Sequence, residues 1–420
     1  MRELTFPRLG ERCIVDTLPN GLTVYVLPKP GFSKCYAMLA VHYGGNDERY
    51  AVNGRWRQTP AGVAHFLEHK MFEMPEENAL QTLTARGASA NAFTGADMTA
   101  YHFTCTEQFY ENLATLLQFV TTPYFTQESV DKEQSIIAQE IRMTEDDPGW
   151  QCHHQLMQGL YAHHPCRNSV AGSVESIAQI TPEVLTTCHK MFYDAANMVL
   201  CVAGNVDARK VLQLAASIVP PSERKTLERG RGEPEEMESA CQELERTMEV
   251  SAPTFHLGFK AEPDGSLRRQ LVGDLAIQML VGDSSPLYEK LYGEGLIDNR
   301  SWVSFHTDAE TACFAVGGES RDPTRVAEEI LSEAVRVAWN GLDEDLFRRV
   351  SRAMYGVRVQ ALDSFSHLCR MQAIGHFAGY QYLTFPEISQ EITKQEVEEL
   401  LRESITGVRS CLSVIRPKGV

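Results

Sequence analysis

The stretch Ala64-His65-Phe66-Leu67-Glu68-His69-Lys70-Met71-Phe72-Glu73 contains His-x-x-Glu-His, the inverse of the commoner zinc-protease order His-Glu-x-x-His. On a helix, His65 and His69 stand at i and i+4, one above the other on a single face. Two imidazoles so placed can share one tetrahedral Zn²⁺. Glu68 lies beside them, close enough to take a proton from a metal-acidified water without itself being a ligand. Val63, Ala64, Phe66, Leu67, Met71 and Phe72 supply the apolar surface of a buried helix. Five-residue patterns also arise by chance, and two helical histidines can equally be satisfied core or surface residues. A third ligand has to be found.

Glu133 and Glu140 are the candidates. They fall in a helix expected over 127–145, with Thr126 as its cap and an apolar face of Val130, Ile136, Ile137 and Ile141. Asp146-Asp147-Pro148-Gly149 stops it. Seven residues are two turns, so both carboxylates share a face. One suits a metal ligand and the other a carboxylate behind a ligand; a pair of exposed helix acids is the ordinary alternative. Between motif and helix, Gly87-Ala88-Ser89-Ala90-Asn91-Ala92-Phe93-Thr94-Gly95 is rich in small residues and passes into an alternating strand through Tyr101. Small residues permit close backbone approach, beside a metal or beside a peptide added to a sheet edge, and equally a tight turn into a strand.

The rest of the chain supplies the frame. Cys13-Ile14-Val15, the turn Pro19-Asn20-Gly21 and Leu22–Leu27 predict a hairpin, followed by a strand over Tyr36–Tyr43. A second helix is expected from Glu76 to Ala85, and helices over 107–121, 150–161, from Thr181 and over 207–218. Met198–Gly204 reads as a buried strand. Residues 223–246 are charged and turn-rich without an apolar period, and read as a linker. Beyond them the pattern restarts: strand Thr254–Phe259, helix Leu271–Val281, strand Phe314–Gly317, helices over 324–338 and 343–361, and strand Cys411–Ile415. The chain is therefore expected to be α+β, in two similar halves over 1–222 and 247–420, each an antiparallel sheet packed with helices. The second half carries no His-x-x-Glu-His.

With 39 basic and 56 acidic residues in 420, the net charge is −17, which argues against nucleic-acid or anionic-membrane partners. Met1–Arg8 has no apolar h-region, and no run approaches the roughly 20 apolar residues of a membrane span. Eleven cysteines without a Cys-x-x-Cys pair read as reduced, mostly buried thiols of a cytoplasmic protein. The doublets His153-His154 and His163-His164 read as loop or surface residues.

Gly62-Val63-Ala64-His65-Phe66-Leu67-Glu68-His69 with Phe72 resembles the zinc helix of the pitrilysin/insulinase family, the inverzincins. Glu140, 71 residues after His69, and Glu133, seven before Glu140, match that family's distal acidic pair. Asn91-Ala92-Phe93-Thr94 followed by Thr99-x-Tyr101 matches its strand beside the metal. The similarity covers essentially the whole chain and is greatest to the bacterial YmfH-like branch. It implies a zinc metalloendopeptidase binding one Zn²⁺ per chain through His65, His69 and Glu140. Glu68 would be general base and then acid, and Glu133 would orient the metal's ligands. The backbone of 89–93 would pair with an extended peptide, which makes Ala90, Asn91, Ala92, Phe93 and Thr94 the candidate substrate-binding residues. It further implies a closed chamber of four halves, of which this chain supplies two. One departure stands out. Where the family places a substrate-clamping Arg and Tyr, this chain has Tyr292 and Asp298 or Asn299. A homodimer, or a heterodimer with a zinc-less paralogue that brings the clamp, is the expectation. A non-catalytic scaffold or assembly subunit of the same fold is the alternative, since fold alone does not decide function.

Overall fold

The computed structural model describes residues 1–75, 78–223 and 226–418, which form two compact units. The first comprises Met1–Arg142, Asn168–Gly232 and Ala361–Leu383. Its strands are Arg2–Phe6 (β1), Glu11–Thr17 (β2), Thr23–Pro28 (β3), Cys35–Val41 (β4), Arg49–Val52 (β5), Arg55–Gln58 (β6), Ser89–Thr94 (β7), Thr99–Cys105 (β8), Met198–Gly204 (β9) and Leu227–Gly230 (β10). Seven of them make one sheet in the order β1-β2-β3-β9-β4-β8-β7, antiparallel except where β3 and β9 run parallel. Strands β4 and β9 are buried along their whole length, as their unbroken apolar runs require of strands covered on both faces. On one face Leu39, Val41, Tyr101 and Phe103 share a core with Phe66 and Leu67 of the helix Val63–Lys70. Each such side chain withdrawn from water contributes roughly 1.5–3 kcal/mol. The helix Phe365–Ala378 covers the opposite face over β4 and β9, where Tyr25 Oη lies 3.3 Å from His376 Nδ1.

Strand β7 is the last in this order, so one side of its backbone pairs with β8 and the other, among the described residues, with no strand. Alternation sorts its residues. Ala90 and Ala92 pack against the core on the side of helix Val63–Lys70. Ser89, Asn91 and Phe93 therefore face the side of helix Phe365–Ala378.

The second unit comprises Met143–Arg167, Glu233–Gln360 and Thr384–Val420. Glu243–Met248 (β11), Thr254–Lys260 (β12), Trp302–Thr307 (β13), Ala312–Glu319 (β14) and Ser410–Pro417 (β15) form its sheet in the order β11-β15-β12-β14-β13. This repeats the series β3-β9-β4-β8-β7 of the first unit, with a parallel pair, β11 and β15, in the corresponding place. The helix Leu267–Val281 packs beside β13, and the helix Pro148–Leu160 lies on β12 and β15.

Two features depart from the expected organisation. The boundary does not fall between 1–222 and 247–420. Residues 143–167 belong to the second unit and 361–383 to the first. Close packing explains the former: a Cβ on Gly159 would come 2.2 Å from Cys411 Sγ, and one on Gly258 would meet Leu156 and Leu160 at about 3 Å. Only bare backbone lets that helix sit so near its sheet. The expected linker 223–246 is also partly ordered into strands. It contains β10, antiparallel to β5, and the first residues of β11. Arg224 and Lys225 lie outside the described residues, as does Glu76, the expected start of a helix that spans Ala79–Ala85. His153 is exposed on the helix Pro148–Leu160 and His163 is exposed in the bend that follows it, as expected of loop or surface residues, whereas His154 is half-buried on that helix and His164, in the same bend, is buried. All eleven cysteines are unpaired and eight are buried. Among the described residues no helix is long and apolar enough to cross a membrane.

Candidate metal centre

Gly62 sets the start of the motif helix. Its φ is +92°, and a Cβ there would stand 2.5 Å from Ala171 O, so both conformation and space demand glycine. Phe66 N donates to Gly62 O at 2.9 Å, and burial of Val63, Ala64, Phe66 and Leu67 fixes the helix's rotation. His65 and His69 emerge on the partly exposed side with ring centroids 4.6 Å apart. Lys70 is fully buried; its Nζ pairs with Glu73 Oε2 at 2.5 Å and donates to Ser129 O at 3.4 Å. That contact joins the motif helix to the helix Gln127–Glu145, which carries both distal acids.

The structure brings the expected ligand set together. His65 Nε2 lies 3.5 Å from Glu140 Oε1, and His69 Nε2 lies 3.5 Å from Glu140 Oε2. One nitrogen or oxygen from each of the three residues falls within 4.8 Å of the others. Tetrahedral zinc ligands at about 2.0–2.1 Å stand roughly 3.4 Å from one another. Two imidazoles and a carboxylate at this spacing therefore suit zinc in both donor chemistry and size, and three protein ligands leave one position open.

Glu133 stands behind this set, its Oε1 3.0 Å from His69 Nδ1. An ionised carboxylate only accepts, so His69 Nδ1 carries a proton, and Nε2, on the side of Glu140, is the nitrogen left for a metal. Among the described residues His65 Nδ1 has no such partner. Burial opposes the charged form of His69, but Glu133, Glu140 and Glu68 outweigh it and raise its pKa. Burial likewise works against ionisation of Glu133, and His69 and Lys70 outweigh it; His65 holds Glu140 below the usual carboxylate range. Both acids stay anionic at neutral pH.

Thr94 Oγ1 donates to Glu68 Oε2 at 2.6 Å. A residue expected to bind substrate thus holds the candidate base through its side chain. Thr99 Oγ1 lies 3.3 Å from Thr94 Oγ1 and donates to Tyr43 O at 2.9 Å. Tyr101 and Tyr193 share a buried hydroxyl contact of 2.8 Å, and burial pushes both hydroxyls up, keeping them neutral. The Thr99-x-Tyr101 spacing was the sequence signal for this shell; Tyr193 and Lys70 carried none. Of the candidate substrate residues, Ala90, Asn91, Ala92, Phe93 and Thr94 all lie on edge strand β7, where Asn91 Oδ1 accepts the Ala92 amide at 2.9 Å. In the second unit Tyr292 is exposed, and Asp298 pairs with Arg300 at 2.8 Å.

Comparison with known proteins follows the same lines. Residues 28–174 match the model of Insulinase (Peptidase family M16), and residues 179–354 match that of the Peptidase M16 inactive domain. The uncharacterized zinc protease YmfH of Bacillus subtilis is 33% identical over 427 residues, covering all of both chains. The M16-like protein of Alicyclobacillus acidocaldarius superposes with a TM-score of 0.93 at 31% identity, over 99% of this chain and 100% of that one. Pitrilysin shares the fold at a TM-score of 0.79 and 16% identity, with 97% of this chain matching 45% of that one. With full-length identity of this order to a zinc protease, the chain belongs to the insulinase family, peptidase family M16.

Proposed function

We propose that this chain is a zinc-dependent peptidase acting on extended peptides. The observation that carries the reading is the convergence of His65, His69 and Glu140 beside Glu68 and the free edge of β7. His65 Nε2, His69 Nε2 and Glu140 hold the metal, and Glu133 fixes the His69 ring. When bound, zinc supplies Lewis acidity toward water and the scissile carbonyl. Glu68 takes the proton of the attacking water and returns it to the departing amine. Thr94 aims the Glu68 carboxylate, and β7 receives the substrate backbone as an added strand. The working unit is a dimer whose partner, a second copy or a zinc-less paralogue, supplies the clamping Arg/Tyr pair replaced here by Tyr292 and Asp298–Asn299.

The match of 179–354 to an inactive domain concerns the half without the motif; the second reading is a non-catalytic assembly subunit of the same fold. Digestion of an unbiased peptide mixture by the zinc-loaded chain, with Glu68→Gln as control, separates the two. Cleavage present only with Glu68 supports the peptidase. Zinc bound at one per chain without cleavage points to an obligate partner or a scaffold. Failure to bind zinc stoichiometrically overturns the metal assignment.

A further inference from the structure

We propose that Arg370 selects an acidic side chain in the substrate, at the peptide residue that lies beside Phe93. The inference rests on the peptidase reading and deepens it by naming a specificity determinant. Arg370 is an exposed residue of the helix Phe365–Ala378, and its guanidinium carbon stands 5.2 Å from the centre of the Phe93 ring. Acidic residues outnumber basic ones by 56 to 39, yet among the described residues no carboxylate pairs with Arg370. Its charge acts on Tyr36 and His367, while His102 stacks on Tyr36 at 5.4 Å and lies 6.2 Å from Phe93. A guanidinium lying over a ring keeps its N–H edges free for a two-point grip on a carboxylate, and the ring limits the rotamer freedom lost on binding.

The geometry of β7 says which substrate residue meets it. A peptide pairing with the free edge sends successive side chains to opposite faces. Those on the face of Ala90, Ala92 and Thr94 approach the motif helix. Those on the face of Asn91 and Phe93 approach Arg370. The preference that Arg370 imposes is therefore expected at one position of the peptide.

The test scans Glu, Gln and Lys through each position of a peptide series, measuring kcat/KM with the wild-type chain and Arg370→Glu. Binding of the same fluorescent peptides to chains that also carry Glu68→Gln is followed by anisotropy. Glu is expected to exceed Lys by about tenfold at one position, the size of one charge-assisted hydrogen bond. Arg370→Glu reverses that order and Arg370→Lys keeps its sign. Arg370→Gln, which flattens the profile without repulsion, serves if the charge reversal unsettles the fold. A charge profile identical in wild type and variants overturns the proposal. If the wild-type chain cleaves no peptide by itself, binding decides. A charge preference that reverses with Arg370→Glu keeps Arg370 as a receptor for acidic peptides, and absent binding or absent reversal removes it.

Discussion

Glu133 Oε1 lies 3.0 Å from His69 Nδ1, on the far side of the ring from Glu140. The contact does two things. It selects the tautomer whose Nε2 is free to bind metal, and it raises the basicity of that nitrogen. Because among the described residues His65 has no equivalent partner, the ligand set is asymmetric, and His69 depends on its carboxylate where His65 does not.

Glu133→Ala should therefore weaken zinc binding by roughly 10–100-fold, read by competition with a chromophoric chelator. Glu133→Gln keeps an acceptor oxygen and should lose less. An affinity unchanged in Glu133→Ala would mean that His69 is oriented by packing alone.

The hydroxyl of Thr94 points to a kinetic effect without a metal effect. Its 2.6 Å bond to Glu68 Oε2 is a hydrogen bond to a charged group, worth about 1.5–3 kcal/mol, so Thr94→Val should lower kcat by roughly 10–100-fold. Zinc stoichiometry should stay the same, and Thr94→Ser should recover most of the rate. A Thr94→Val chain with a raised KM and unchanged kcat would return Thr94 to substrate pairing alone.

Much of this site was legible because helical periodicity determines a face. Residues four apart in the motif, and seven apart at Glu133 and Glu140, must project together whatever the tertiary fold. The Asn91–Thr94 strand was legible as a place for close backbone approach, but the direction of the Thr94 hydroxyl depends on where Glu68 arrives from another element. The exchange of the helices Pro148–Leu160 and Phe365–Ala378 between the units left no mark in periodicity. An apolar helix face states that it must be covered, not by which sheet, and the deciding contacts at Gly159 and Gly258 are 99 residues apart. Strands β10 and β11 escaped notice because partly exposed edge strands rich in charge, such as Leu227–Gly230 and Glu243–Met248, lack the apolar alternation that marks a strand.

Gly62 carries a cost that is local to the motif. Alanine there meets Ala171 O at 2.5 Å and must hold a φ of +92°. Left-handed backbone alone costs about 1–2 kcal/mol, and the contact adds to it. Gly62→Ala should lower the melting temperature and, by shifting the first turn, weaken zinc binding through His65. Melting curves with and without zinc measure both, and a variant matching wild type in each would show that the segment around Ala171 yields freely.

Acid stability turns on Glu235, a residue within the expected linker. Its carboxylate accepts from the amides of Ala162 at 3.1 Å, His163, and His164 at 2.6 Å, and from Lys260 Nζ at 3.0 Å. Burial alone would raise its pKa, but these donors outweigh burial and bring it down to about 2. In the unfolded chain an ordinary glutamate titrates near about 4.3. A folded value below the unfolded one means that the charged form stabilises the fold fully above that pH, and that the contribution disappears as the pH falls toward 2. The carboxylate is partly screened by solvent, so the contribution is about 1–2 kcal/mol. Glu235→Gln should thus melt below wild type at pH 7, and the two curves should converge between about pH 4.5 and 2. A gap that stays constant with pH would assign the loss to misplaced hydrogen bonds of the amide, with no part played by the charge.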